Sequence, residues 1–180
     1  MRSLLKNIKK TSLLLTLIKI ITPMGIAEGQ SKNVLLKCFI GFRGSQMETK
    51  LMVDYSKSFI GKPYLWGGEG PEAYDCSGFI QEVLSCIGYD PTGDQTAQGL
   101  YNYFSKTARG KGIAAGSLLF WGKSINRVTH VSMAINFFQH IEAGGGGRAI
   151  NSLQKAKTSG AMIRIRPIVS RNDLLAAIKI

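Results

Sequence analysis

Cysteine and histidine are scarce in this 180-residue sequence, and their scarcity limits the available chemistry. Cys38, Cys76 and Cys86 form an odd set without a C-x-x-C pair, which excludes a disulfide framework and a cysteine-based zinc site. The two histidines, His130 and His140, offer little to any metal centre, and no H-E-x-x-H occurs. A phosphate loop is missing too: the run Gly144–Gly147 lacks the Lys-Ser/Thr that would have to follow it. No metal or other cofactor is therefore implied. No apolar run reaches the roughly 20 residues of a spanning helix, and no 20–50-residue period marks a repeat array. What is present is a 44% hydrophobic composition, enough for a real core and too much for a disordered chain. The length suits one compact domain with an appendage.

Acidic residues are few, 11 against 23 Lys+Arg, giving a formal charge of +12. Residues 1–50 hold 9 Lys+Arg and 2 Asp+Glu, so more than half of the excess lies in the first quarter of the chain. Any polyanion could gain from this charge. Nucleic acid is disfavoured, because the basic residues of the body (Arg109, Lys111, Lys123, Arg127, Arg148, Arg164, Arg166) are thinly spread and no binding motif accompanies them. Residues 1–46 read as a basic, partly apolar leader. Arg2, Lys6, Lys9 and Lys10 precede the apolar stretch Ser12–Ile26, with Gly25 and Ala27 as small residues near a cleavage position. Lys19 and Pro23 interrupt that pattern. Three readings stand: an export signal, a basic helix touching a membrane through residues 1–26, or upstream sequence unrelated to a domain over residues 47–180.

From Glu48 the periodicity is regular. Leu51, Met52, Tyr55 and Phe59 recur at helical spacing until Gly61 and Pro63. A Gly- and Pro-rich loop spans Lys62–Ala73. A second helix is expected over Cys76–Ile87 with Gly88 as its cap, and a third over Asp94–Ser105. The period then becomes two, with strands expected over Ser117–Trp121, His130–Asn136, Gln139–Ala143 and Ala161–Pro167, the middle pair a hairpin. Ser170 with Asp173 reads as a capping box opening a last helix over Leu174–Ile178. Helices first and antiparallel strands second make an α+β domain.

Two residues stand out for chemistry. Cys76 lies where a glycine-rich loop enters a helix, in Asp75-Cys76-Ser77-Gly78. A cysteine in a first helical turn meets unpaired N–H groups and the positive end of the helix dipole, both of which favour thiolate. Thiolate is the nucleophilic form, and the same N–H groups could stabilise an oxyanion. Gly78 would admit a close neighbour. His130 opens a strand in which His130, Ser132 and Ala134 share one face. Each alone has a bland reading, a buried apolar cysteine and a histidine bonded to backbone.

Together they carry a resemblance. GKPYLWGGEGPEAYDCSGFIQEVL (Gly61–Leu84) resembles the signature of the NlpC/P60 cysteine peptidases, G-x-P-Y-x-W-G-G followed by D-C-S-G. AAGSLLFW and THVSMAINFFQHIEA are similar to that family's second half, so the likeness runs over about Glu48–Ala143. IEAGGGG and IRIRPIVSRNDL further resemble versions found in phage and prophage genomes. The resemblance implies a papain-like α+β fold, with N-terminal helices packed on an antiparallel β-sheet. It implies hydrolysis of amide bonds in the stem peptides of bacterial peptidoglycan by a secreted, periplasmic or phage-virion-associated enzyme. Carried over by position, Cys76 is the nucleophile and His130 its base, while Tyr64, Asp75 and Ser77 bind substrate. An amidase or acyltransferase of the same fold, or a silent wall-binding or phage structural module, is the alternative.

The residue orienting His130 has two candidates, His140 and Glu142, on one face of the following strand. If the hairpin loop spans Asn136–Phe138, Ile135 pairs with Gln139 and Ala134 with His140, which brings Glu142 nearer to His130. The family's usual spacing also lands on Glu142, which is preferred, with His140 as the structural or cleft-lining alternative. Ser117 stands where the family has Asp, which is expected to weaken a turn. Cys86 is expected to be buried, Trp66 and Trp121 to pack, and Gly144–Gly147 to form a mobile or closely approached loop. Nothing in the sequence sets the oligomeric state.

Overall fold

The first helical pattern is realised in the computed structural model as a helix over residues 45–57, α1, which buries Met52 and Val53 but leaves Leu51 49% exposed. The structure describes residues 45–180; all but the last two positions of the expected leader lie outside them. Two further helices follow, α2 (Cys76–Ser85) and α3 (Ala97–Thr107). Each starts on a side-chain cap: Asp75 for α2, and for α3 Thr96, whose hydroxyl accepts from Gly99 N–H at 3.1 Å. α2 ends two residues sooner than expected. Gly88 takes φ +72° in the turn beyond it and donates to the Ser85 carbonyl.

The remainder is a six-stranded antiparallel sheet with one short helix. Its members are β1 (Gly110–Lys111), β2 (Leu118–Ser124), β3 (Arg127–Ala134), β4 (Gln139–Gly144), α4 (Leu153–Ser159), β5 (Met162–Pro167) and β6 (Leu174–Lys179), in the spatial order β1-β6-β2-β3-β4-β5. The expected helix over Leu174–Ile178 is instead β6. Its residues pair with β2, Leu118 opposite Ile178 and Leu119 opposite Ala177, and with β1 beyond. As a helix it would leave the β2 backbone unpaired inside the sheet, a larger loss than the helical preference of Leu and Ala can offset. Asp173 caps nothing there; its carboxylate accepts two hydrogen bonds from Arg171. The seven-residue α4, opened by Ser152, carried no apolar period long enough to read.

Alternation sorts the sheet into two faces. Leu118, Phe120, Val131, Met133, Ile141, Ala143 and Ile163 join α2 and α3 in the main core. Leu119, Trp121 and Ala134 turn the other way and pack with Ile168. Phe120 and Trp121 are fully buried, and burying side chains of that size stabilises by about 1.5–3 kcal/mol each. The segment 61–64 runs along the outer edge of β5, with Gly61 N–H on the Ile163 carbonyl and Tyr64 N–H on that of Ala161. That pairing covers an edge and fixes Tyr64 and the loop leading into α2. Among the described residues no helix is long and apolar enough to cross a membrane.

Candidate active site

The start of α2 is built by one carboxylate. Asp75 Oδ1 accepts from the N–H groups of Ser77 (2.9 Å) and Gly78 (2.8 Å) and from the Ser77 hydroxyl (2.9 Å). Its Oδ2 accepts from Gly67 N–H across the loop. Cys76 is thereby the first helical residue, 7% exposed. Phe79 N–H is bonded to the Asp75 carbonyl, so the first-turn donor left for a substrate oxygen is that of Cys76 itself. Gly78 is where the close approach happens: a Cβ there would stand 2.3 Å from the Gly68 carbonyl oxygen.

His130 lies opposite Trp121 on β2, its side chain 12% exposed. Its Nε2 is 2.8 Å from Oε2 of Glu142, which is 2% exposed. The hairpin that joins them pairs Met133 with Ile141 and Ala134 with His140, the expected register. Burial alone would discharge the His130 ring, but the adjoining Cys76 sulfur and the Glu142 carboxylate outweigh it and hold the imidazole up to about 9. For Glu142 burial favours the protonated acid; hydrogen bonding to His130, with the charges of His130 and Arg164, reverses this and holds it down to about 2.

His140 is separated from this pair. Its Nδ1 is 2.9 Å from the Ser132 hydroxyl, which accepts from Trp121 Nε1–H at 2.8 Å, and its ring lies 5.2 Å from that of Trp121. The residue is fully buried and Nε2 has no partner. Burial, opposed by Glu142 and reinforced by His130, Arg171 and Arg166, pushes it down to about 4, so it is neutral at pH 7.

Tyr64 is buried near Cys76 and Asp75, and burial together with those neighbours holds its phenol well above the ordinary tyrosine range. Ser77 is buried with its hydroxyl committed to Asp75. Trp66 does not pack as expected: it is 45% exposed, under the Arg148 guanidinium. Trp121 does pack. Cys86 is half-buried rather than buried. Ser117 restores the turn its substitution was expected to weaken, donating to the Gly112 carbonyl and accepting from Ala114 N–H. Gly145 is closely approached, since a Cβ on it would stand 2.7 Å from Ala161. Among the described residues no three His, Cys, Asp or Glu side chains gather as a metal site. Unforeseen were Arg164 and Arg166, each 3.7 Å from Glu142 Oε1. The only signal for them was the alternation in Ile163-Arg164-Ile165-Arg166.

The sequence profile of the NlpC/P60 family matches residues 61–166, more than half of the chain. The protein named "Probable endopeptidase p60" of Listeria grayi is 32% identical over 99 residues, 54% of this chain and 18% of that protein. The chain thus spans under a fifth of that curated relative's length. Among solved structures, the NlpC/p60 domain of the peptidoglycan hydrolase SagA superposes with a TM-score of 0.52 at 26% identity, covering 73% of this chain and 98% of that one. RipD of Mycobacterium tuberculosis, described as a non-catalytic NlpC/p60 domain protein adapted to peptidoglycan binding, shares the fold with a TM-score of 0.52 at 17% identity, over 74% of this chain and 96% of that one. With its signature loop, its cysteine at a helix start and its antiparallel sheet, this chain belongs to the NlpC/P60 family.

Proposed function

We propose that the protein is a cysteine endopeptidase that hydrolyses amide bonds in peptidoglycan stem peptides. The observation that carries the reading is the buried line Cys76–His130–Glu142, with a 2.8 Å contact holding the far nitrogen of the imidazole. Because Nε2 is taken by Glu142, Nδ1 is the nitrogen that faces sulfur. His130 accepts the Cys76 proton, and the thiolate attacks the carbonyl carbon of the scissile amide. The negative charge that develops on the carbonyl oxygen falls near the Cys76 N–H. Imidazolium then protonates the leaving amine as the C–N bond breaks, and a water deprotonated by His130 hydrolyses the thioester. Tyr64, neutral and beside Cys76, and the Asp75–Ser77 pair form the wall against which the stem peptide would lie. The substrate lies outside the cytoplasm, so the reading requires export or delivery on a phage particle.

RipD shows that the same fold serves binding alone. An intact cysteine, histidine and buried carboxylate argue for turnover here, since wall binding needs no thiolate. Mass spectrometry of muropeptides released from purified peptidoglycan tests this. Wild type releases peptides with a new free amine and carboxylate, and Cys76→Ala releases none. Equal release by the two would end the cysteine-peptidase reading.

A further inference from the structure

Glu142 has neighbours on both oxygens. Its Oε2 meets His130, while β5 sets Arg164 directly opposite Glu142 and Arg166 opposite His140. Arg164 Nε and Arg166 Nη1 each stand 3.7 Å from Oε1. A carboxylate 2% exposed would ordinarily take up a proton rather than remain charged. One imidazolium serves one oxygen and leaves the other bare. We propose that Arg164 and Arg166 are positioning residues: they keep Glu142 ionised and restrain the basicity that it confers on the His130 ring.

The charged surroundings are complete enough to give the effect a sign. Glu142 faces His130 from β3, His140 on its own strand, and the two arginines from β5. His140 is neutral in its contact with Ser132. Arg171 and Asp173, from the turn before β6, are bonded to one another. Cys76 faces His130 from α2. When Cys76 is thiolate and His130 imidazolium, the two guanidinium groups change the net charge of the cluster from negative to positive. The oxyanion of the transition state then forms in a favourable field. Arg164 and Arg166 are about one-third exposed, so their outer N–H groups stay solvated; Arg164 Nε is buried without a hydrogen-bond partner, and both groups act on the carboxylate through charge.

This inference rests on the catalytic reading, and the test separates the two. The rate of iodoacetamide alkylation at Cys76 is followed against pH by peptide mass spectrometry, which resolves Cys38 and Cys86 and needs no substrate. In wild type the rate rises as the ion pair forms and changes again as His130 loses its proton. In Arg164→Gln, Arg166→Gln and the double variant, the Glu142–His130 pair loses one or both of the positive charges beside it and binds its proton more tightly. The His130 transition moves up by about half a unit to one unit per arginine. Arg164→Lys, which keeps the charge, returns it toward wild type. An unmoved or lowered transition in the folded double variant overturns the proposal and leaves the catalytic reading intact. If the double variant does not fold, Arg166→Gln alone, on a partly exposed edge strand, decides in the same way. A wild-type profile with a single thiol-like transition, indifferent to Glu142→Gln, overturns the catalytic reading itself.

Discussion

Glu142→Gln removes a charge and little else, which makes it the sharpest probe of the dyad. The amide keeps an oxygen near 2.8 Å from His130 Nε2, so the ring stays aimed while its imidazolium loses a counter-charge. Two unit charges about 4 Å apart at an effective dielectric near 20 interact by about 4 kcal/mol. Arg164 and Arg166 already offset part of the carboxylate's field, which leaves about 1–3 kcal/mol, or roughly one to two pH units on His130. The sign follows from the raised pKa: losing the partner that favours the charged ring moves the His130 transition down from about 9. The assay is kcat/KM for muropeptide release between about pH 5 and 10. Wild type should hold its activity into the alkaline range, whereas the variant should lose its alkaline limb near neutrality. Its activity at about pH 8 should fall by roughly two- to tenfold. An alkaline limb coincident with wild type would refute the assignment of Glu142 as the residue that holds and charges His130. The shift is opposite in sign to that expected for the arginine variants, so a general loosening of the sheet cannot imitate both.

Two further outcomes concern the scaffold. His140, lowered to about 4 from 6.5 by burial, binds fewer protons folded than unfolded; its contribution is fully present above about pH 6.5 and is lost as pH falls toward 4. Wild type should therefore lose about 3 kcal/mol of stability to this group over that window, measured by urea unfolding. His140→Asn should flatten the dependence; an identical slope in both proteins would show that the ring is not the titrating group. Gly78→Ala drives a methyl into the Gly68 carbonyl oxygen, a backbone atom that cannot swing aside. About 1–3 kcal/mol of destabilisation is expected, with slower Cys76 alkylation as the helix start shifts; an unchanged Tm and rate would refute the tight fit.

The parts of the site that were legible in the sequence are local in the chain. Asp75-Cys76-Ser77-Gly78 announces a helix start because a cap, its N–H partners and the first turn all fall within four residues. The hairpin is equally short, so a three-residue loop sets which residue lies opposite which, and Glu142 follows from counting. Three features depended on partners far away in the chain. Residues 174–179 have the composition of a helix and are a strand only because β1 and β2 need an edge filled between them. Trp66 has the look of a packing residue, but its loop is held outward by the Ile150 carbonyl and its ring lies under Arg148. Arg164 and Arg166 sit more than twenty residues beyond Glu142, across the β4–β5 pairing, and no short-range pattern joins them.

The choice of a carboxylate as the orienting group connects these pieces. A neutral group behind the imidazole would need no counter-charge when it is buried. Glu142, 2% exposed, does need one whenever His130 is neutral, which in the proposed cycle is the state reached each time the ring has given its proton to the leaving amine. At that moment the imidazole offers no charge, and the carboxylate would tend to take the proton that the next water must deliver to His130. Arg164 and Arg166 stay charged through the whole cycle, so Glu142 stays ionised when its imidazolium partner is absent. On the proposed mechanism the orienting carboxylate and the two arginines therefore act as one unit. A change from Glu142 to a neutral residue should be least harmful where both guanidinium groups have also been removed.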